Sequence, residues 1–205
     1  MARAGLNRQA VVRAAVHIAD AEGIEAVSMR RVSQELGVTP MALYRYLPDK
    51  SGLIDVVVDE SLGVVPLVDP DGDVVPELLR CFGGLYEFLL VHPGLARAAG
   101  ERPLVGPVAT RIGDQVLALL HRSGVTGDDA ATLVVSAFSL ALGSALYRTS
   151  RRGRGGNDFS RSGVEAPVVQ RVQDQLISAS RDDRMFRDAL ERLVASYLDV
   201  GAVQG

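Results

Sequence analysis

One short run of the sequence brings together side chains that could bind DNA. Tyr44 and Tyr46 offer hydroxyls and flat rings, and Arg45 offers a cation. Met41 and Ala42 offer apolar surface of the kind that contacts a thymine methyl group. Each side chain alone has a plainer explanation, because tyrosines are often half-buried packing residues and an exposed arginine is often only a solvated charge. Their clustering favours a nucleic-acid contact.

Basic and capping residues flank this run on both sides. Arg30 adds a donor for a phosphate or a guanine edge. Lys50 combines its charge with the predicted N-terminus of a helix, where phosphates bind well. Ser28, Thr39 and Pro40 stand at the starts of the two predicted helices that carry the run, and they complete the candidate DNA-binding set.

Two short predicted helices separated by a tight turn position these side chains. Ser28 can cap the first helix, and Gly37 can supply the left-handed residue that ends it. Thr39 can cap the second helix, which is predicted to run to Leu47. Such a helix-turn-helix, here over roughly residues 28–47, can place its second helix in the major groove of DNA.

The rest of the N-terminal domain is predicted from the same periodicity. Leu43 and Leu47 lie four residues apart, so they face inward and leave the DNA-binding run facing out. Further helices over 8–22 and 50–62 complete an N-terminal domain of residues 1–62. A break rich in Pro and Gly follows.

Residues 63–205 are predicted to form a second, larger helical domain. Apolar residues recur at helical spacing and strand signals are weak throughout the chain, so the predicted fold class is all-α. The helices are placed near 74–91, 104–122, 128–150, 166–180 and 183–200, with a short helical turn near 95–99 and a mobile loop over 151–165.

Composition disfavours several other classes of protein. The formal net charge is -3 over 205 residues, yet the N-terminal quarter is slightly basic, which is enough for one positive patch. Cys81 is the single cysteine, and the three histidines lack metal-ligand spacing, so neither a disulfide within the chain nor a cofactor is expected. Without a catalytic motif, an enzyme is the less favoured alternative. The start lacks the features of a secretory signal, so a cytoplasmic location is expected.

An uncharged stretch over residues 130–147 leaves a second alternative open. It just reaches the length of a membrane-spanning helix. Its Ser, Thr and Gly residues favour a helix buried in protein on every side. A membrane-associated sensor is therefore less favoured than a protein without membrane contact.

A multi-point match to a known family extends over residues 6–60. It consists of Leu6-Asn7-Arg8, Gly23-Ile24-Glu25, Arg30, Leu36-Gly37-Val38, Leu43-Tyr44-Arg45-Tyr46-Leu47, Lys50 and Leu53. These residues resemble the N-terminal domain of TetR-family transcriptional regulators. The resemblance implies a ligand-responsive repressor that binds a palindromic DNA operator as a homodimer.

The same resemblance implies roles for individual side chains. The positions that would face DNA are Arg30, Pro40, Met41, Ala42, Tyr44, Tyr46 and Lys50. Of these, Tyr44 and Lys50 would chiefly contact the DNA backbone. The choice of bases would rest with Arg30, Pro40, Met41 and Ala42.

The second half resembles, more thinly, the tetracycline-repressor subgroup of this family. The match rests on Gly100-Glu101-Arg102-Pro103, Gln115 and Leu142-Gly143. Where that subgroup handles the drug and its metal, this chain has Gly84, Ala98, Glu101 and Tyr147. Magnesium-tetracycline is therefore not the expected effector, and a different, more apolar small molecule is.

The second domain is also expected to hold the effector pocket and the dimer interface. The pocket candidates are mostly apolar with a few polar anchors: Phe82, Tyr86, Arg102, Gln115, Leu119, Val134 and Phe138. The interface candidates form two helical stripes: Ala137, Ala141, Ala145, Phe186, Leu190, Leu193 and Tyr197. In the alternative arrangement, both stripes pack within one monomer. The hinge of the switch would run through Arg102-Pro103 and the helix over 50–62.

Overall fold

The computed structural model of the protein describes residues 6–151, 163–179, 182 and 184–201. The regular elements in these ranges are helices and no strand occurs among them, so the predicted all-α fold is confirmed. The helices are α1 (Arg8–Glu22), α2 (Met29–Leu36), α3 (Pro40–Leu43), α4 (Lys50–Ser61), α5 (Val74–Val91), α6 (Pro93–Gly100), α7 (Pro107–Arg122), α8 (Gly127–Ser150), α9 (Pro167–Ala179) and α10 (Arg184–Gly201), with 3-10 turns at Ile24–Ala26 and Leu62–Val64.

Side-chain caps begin three of the first four helices. The side-chain oxygens of Asn7, Ser28 and Asp49 each accept the amide three residues on, at 2.8, 3.1 and 2.8 Å. Each bond satisfies a donor that the helix leaves open. Thr39 occupies the N-cap position of α3 as predicted, but its side chain makes no capping bond. The Ala42 amide bonds instead to the Thr39 carbonyl, at 3.0 Å.

The third helix is shorter than predicted. α3 ends at Leu43, and the chain continues as turns in which the Tyr46 amide donates to the Leu43 carbonyl at 2.9 Å. Pro48 disfavours helical geometry at the residue before it, which explains why the helix does not run on to Leu47.

Two hydrophobic clusters form the interior. The first contains residues of α1, α2, α3 and α4 and is centred on fully buried side chains such as Ile18, Leu43 and Leu53. The second is built mainly from α5, α7, α8 and α10, and includes Leu78 and Leu133. Its largest contact is between α5 and α8.

Helix α6 belongs to both clusters. Leu95, Ala98 and Ala99 pack in the first cluster, whereas Ala96 packs in the second. This segment is a helix of eight residues rather than the predicted short turn. The domain boundary after residue 62 stays a prediction. Through α6, the part of the chain after residue 62 packs against the first cluster.

The predicted dimer stripe is buried inside the chain itself. Ala137, Ala141 and Ala145 are 0% exposed, and Phe186 and Leu190 are likewise buried in the second cluster. A side chain enclosed in one chain cannot meet a partner, so these five interface assignments are wrong and the alternative of packing within a monomer holds for them. Small residues allow close helix packing, and here the close neighbour belongs to the same chain.

Two further predictions concern α8 and the segment after it. α8 is long and apolar enough to cross a membrane by length and composition alone. Within the chain it contacts α5, α6, α7 and α10, but Val135 is 64% exposed, so the expectation of a helix buried on every side is wrong for the single chain. The loop predicted over 151–165 lies, for residues 152–162, outside the described residues.

Candidate DNA-binding face and effector pocket

A left-handed glycine sets the angle between α2 and α3. Gly37 has φ 63° and ψ 35°, and its amide donates to the carbonyls at the end of α2. Glycine adopts this conformation without the steric cost that a side chain would add. Val38 and Thr39 then lead directly into α3, so the predicted tight turn is present.

Most of the predicted DNA contacts are exposed side chains in α3 or in the residues before and after it. Met41 is 76% exposed and Tyr44 is 48% exposed, which is unusual for large apolar or aromatic side chains. The predicted contacts that are exposed with them are Arg30, Thr39, Pro40, Arg45 and Lys50. Leu43 and Leu47 are buried on the opposite side, as their spacing predicted.

The two arginines of α2 differ in their ion pairs. Arg31 forms ion pairs with Glu22 at 2.5 Å and with Glu35 at 2.8 Å. This carboxylate pair raises the pKa of Arg31 further above its usual range, first through the hydrogen bonds that Arg31 donates to Glu22. In the part of the chain that the structure describes, Arg30 has no ion pair. Arg31 therefore braces α2 against α1, and Arg30 remains available for an external anion.

Tyr46 lies less exposed than its predicted role requires. Its ring is half-buried against the first cluster, and its hydroxyl donates to the Leu6 carbonyl at 2.6 Å. The hydroxyl thus holds the chain ahead of α1, which corrects the expectation that it faces outward. Ser28 and Ala42 are also half-buried, and the Ser28 hydroxyl is occupied by its cap.

An apolar pocket of about 320 Å³ lies within the second cluster. Four of the seven predicted pocket residues line it: Phe82, Arg102, Val134 and Phe138. The other lining residues are Leu62, Val65, Cys81, Leu85, Leu104, Ala109, Ile112, Gly113, Val116 and Val135. The spacing of residues 109, 112, 113 and 116 on α7 is helical, and this signal could have identified them from the sequence.

Three predicted pocket residues do not line this cavity. Tyr86 stacks on Phe186, with ring centroids 4.1 Å apart. Leu119 is fully buried in the second cluster. The Gln115 side-chain oxygen is buried on α7 without a hydrogen-bond partner among the described residues. Their chain positions fit a pocket, but the first two side chains are used for packing.

The pocket contains a thiol as well as a cation. Burial raises the pKa of Cys81 to about 11, because the thiolate would lose its hydration there. Cys81 is therefore neutral at physiological pH and acts as a small apolar lining residue. No group of three or more His, Cys, Asp or Glu that could hold a metal ion occurs among the residues described.

Two carboxylates of α4 reach across to the second half of the chain. Asp55 accepts a bond from Arg102 Nη1 at 2.6 Å, and Ser51 Oγ accepts from the same nitrogen at 2.9 Å. One turn further on, buried Asp59 accepts the amides of Val108 at 3.1 Å and Ala109 at 2.9 Å. Asp59 thus caps α7, whose own N-cap residue is a glycine without a side chain.

The family models match both halves of the chain. Residues 11–57 match the model described as bacterial regulatory proteins, tetR family, and residues 66–196 match the tetracyclin repressor-like, C-terminal domain. The chain belongs to the TetR family. The second match covers the helices that enclose the pocket, so family membership extends beyond the helix-turn-helix.

Curated transcriptional regulators are similar to this chain in sequence. The repressor DrrR1 of Streptomyces coeruleorubidus is 33% identical over 82% of this chain and 64% of its own length. An HTH-type transcriptional regulator of Saccharopolyspora erythraea is 29% identical over 68% of this chain and 59% of its own. The matched regions thus span about three fifths of these curated relatives.

Solved TetR structures superpose along almost the whole chain. Apo ActR of Streptomyces coelicolor gives a TM-score of 0.78 at 27% identity, covering 97% of this chain and 99% of ActR. ActR has also been solved in complex with actinorhodin and with (S)-DNPA, again with TM-scores of 0.78.

The four positions at which this TetR chain departs from the tetracycline-repressor subgroup lie outside the pocket lining. Ala98 packs in the first cluster, and Glu101 is exposed. Tyr147 lies under Arg151, whose guanidinium carbon is 4.0 Å from the ring centroid. At Gly84 a Cβ would come within 2.4 Å of Pro66 Cδ, so a larger residue has no room there.

Proposed function

We propose that this protein is a cytoplasmic transcriptional repressor that binds a palindromic DNA operator as a homodimer and releases it when a small, largely apolar effector binds. The single observation that carries the proposal is the junction of an exposed, cationic helix-turn-helix with an apolar pocket through the side chains of α4. A catalytic role has no support from the motifs or the relatives.

The DNA-binding part of the proposal rests on the exposed side chains in and around α3. Tyr44 and Lys50 would bind phosphates, the lysine at the N-terminus of α4, where the helix dipole favours an anion. Arg30, Met41 and Ala42 would contact base edges and thymine methyl groups. Tyr46 would act indirectly, by fixing the chain at Leu6.

The effector part rests on the pocket and on what the relatives bind. ActR is a TetR protein solved with two small molecules, actinorhodin and (S)-DNPA. The pocket here is lined almost wholly by apolar side chains and offers no cluster of metal ligands among the described residues. An effector other than magnesium-tetracycline fits that lining.

The dimer part uses a different face from the one predicted. Between α8, α9 and α10 lies a groove lined by Ser139, Leu140, Gly143, Ser144, Tyr147, Leu176, Ala179 and Met185. Val168, Val172 and Leu176 of α9 are exposed, at the spacing of one helix face. Leu193 and Tyr197 of α10 are half-buried and stay candidates. A second copy on this side would bury apolar surface that one chain leaves in water.

The switch follows from the spacing of the two recognition helices. In a dimer without effector they would lie about one turn of DNA apart, roughly 34–36 Å, and match the two halves of a palindrome. An effector releases DNA only if it binds a different spacing more tightly. Asp55 of α4 bonds to Arg102 of the pocket, and α6 packs in both clusters, so these two helices are the elements that would transmit the change.

Selection of bound sequences from random duplex DNA by the purified protein tests this proposal. An inverted repeat is expected, and its absence would refute the repressor assignment. Tyr44→Ala should weaken binding to all sequences, whereas Met41→Ala should alter base preference with less effect on overall affinity. A Met41 variant with unchanged preference would show that another face of the helix reads the bases. The effector is then sought among molecules that release the selected DNA.

A further inference from the structure

Arg102 is the single charged side chain among the residues that line the pocket. The remaining lining is aliphatic or aromatic except for the Cys81 thiol, which burial keeps neutral at physiological pH. A ligand that fits such a lining is mostly apolar. The position of Arg102 in the pocket lining specifies where a bound ligand could carry a negative charge.

The guanidinium of Arg102 is only partly satisfied by the protein. Its Nη1 donates to Asp55 and Ser51 of α4. Its Nε is buried and has no hydrogen-bond partner among the described residues. A buried donor without a partner is costly, so this group favours an incoming acceptor. Arg102 therefore lines the pocket with Nη1 engaged by α4 and with its buried Nε left without an acceptor.

Asp55 and an anion in the pocket would compete for Arg102 in environments of different polarity. Asp55 is about half exposed, with 49% of its side-chain surface in water, so its ion pair with Arg102 is weakened by solvent. An anion inside the apolar pocket would interact with Arg102 at a lower effective dielectric and would need that cation as its partner. The geometry therefore favours transfer of Arg102 from Asp55 to a pocket anion.

Building on the proposed function, we propose that the effector class is an apolar molecule with one anionic oxygen group, and that this group binds Arg102 in place of Asp55. Loss of the Asp55 contact removes the ion pair between α4 and Arg102 and leaves only the weaker bonds from Arg102 to Ser51 at that point. The contact of Asp59 with the start of α7 remains as the pivot. Binding of a negatively charged ligand would thereby allow α4, the helix that follows the helix-turn-helix, to move.

A matched pair of fluorescent probes tests the effector class without DNA. 1-Anilinonaphthalene-8-sulfonate is an apolar three-ring molecule with one sulfonate, and N-phenyl-1-naphthylamine is the same skeleton without it. Fluorescence titration of the wild-type protein should give an affinity for the sulfonate about ten- to a hundredfold higher than for the neutral probe. Equal affinities would overturn the proposed anionic class.

Three variants assign that preference to Arg102. Arg102→Gln should abolish the preference for the sulfonate and leave binding of the neutral probe unchanged. Asp55→Asn should increase the affinity for the sulfonate, because the competing carboxylate is gone, and this variant leaves the pocket lining intact. Arg122→Gln is the matched control, since Arg122 pairs with exposed Asp71 at 3.1 Å and lies outside the pocket. An equal loss of both probes in Arg102→Gln, or the same loss of preference in Arg122→Gln, would overturn the role of Arg102.

Two further measurements separate this inference from the proposed function. Gly113→Leu would fill the pocket from a position where a Cβ meets nothing within 4 Å, and it should abolish binding of both probes. Persistent sulfonate binding in that variant would overturn the pocket as its site. With selected operator DNA, the sulfonate should weaken binding of the wild type and not of Arg102→Gln. Sulfonate binding through Arg102 that leaves DNA affinity unchanged would overturn the exchange with Asp55, whereas failure of DNA binding altogether would refute only the proposed function.

Discussion

The two tyrosines that flank Arg45 have opposite surroundings. Tyr44 is half exposed and its hydroxyl has no protein partner among the described residues, whereas the Tyr46 hydroxyl donates to Leu6. In the sequence, the two tyrosines offer the same hydroxyl and ring for DNA binding. Only the fold, through a bond spanning forty positions, engages Tyr46 within the protein and leaves Tyr44 exposed.

Removing each hydroxyl should therefore affect a different property. Tyr46→Phe should lower the free energy of unfolding by about 1 kcal/mol, because the Leu6 carbonyl loses its donor. Tyr44→Phe should leave stability unchanged and weaken DNA binding. Urea unfolding and DNA titration of both variants measure the two effects, and a loss of stability in Tyr44→Phe of similar size would contradict this assignment.

Burial of Cys81 predicts a specific alkaline instability. The pKa of the thiol is about 11 in the fold against 9.0 when the thiol is exposed to water. Because the folded pKa is the higher one, the contribution is fully present below pH 9 and is lost as pH rises through 11. Unfolding free energy should fall by on the order of 2 kcal/mol more in the wild type than in Cys81→Ala over that interval. Parallel pH profiles for the two proteins would contradict the burial of the thiol.

At the scale of elements, local rules predict helix starts and fail where a distant residue intervenes. Asn7, Ser28 and Asp49 follow the capping rule, because donor and acceptor lie three residues apart. The cap of α7 could not be predicted, since its acceptor is Asp59 and lies about fifty positions earlier. No sequence pattern around Gly106 indicates that acceptor.

The cap from Asp59 should contribute measurably to stability. Asp59→Ala leaves two amides at the start of α7 without an acceptor, and it should lower the free energy of unfolding by about 1–3 kcal/mol. Asp73→Ala is the matched control, because Asp73 occupies the N-cap position of α5 without a side-chain capping bond. Thermal or urea unfolding compares them, and equal losses would argue against a cap at Asp59.

At the scale of the whole molecule, the periodicity of the sequence identifies the apolar face of α8 but not the helices that pack against it. The stripe of Ala137, Ala141 and Ala145 is regular and suited to close packing, and it is used inside the chain. A helix pattern specifies that a face is apolar, and the choice between an internal and an external partner depends on residues far away in sequence. The all-α fold and the tight turn between α2 and α3 need no such information, which explains why the sequence predicts them correctly.

The exposed side of α8 gives a clean test of dimerisation. A Cβ at Gly143 meets nothing within 4 Å, so Gly143→Arg should leave the fold of the chain intact. The added bulk and charge on the proposed interface should convert a dimer into a monomer, as measured by analytical ultracentrifugation. Thr110→Arg on the exposed side of α7 is the control and should remain dimeric. A Gly143→Arg protein that stays dimeric would place the interface elsewhere.

The sharing of α6 between two clusters limits how this protein can be recombined with its relatives. A chimera joined after residue 62 would combine a foreign N-terminal part with Leu95, Ala98 and Ala99, whose packing partners it had just replaced. Graft failure at that seam would come from mismatched packing rather than from an incompatible operator. Changing the proposed operator preference is better attempted at Pro40 and Met41, because these two side chains of α3 are exposed and belong to neither cluster.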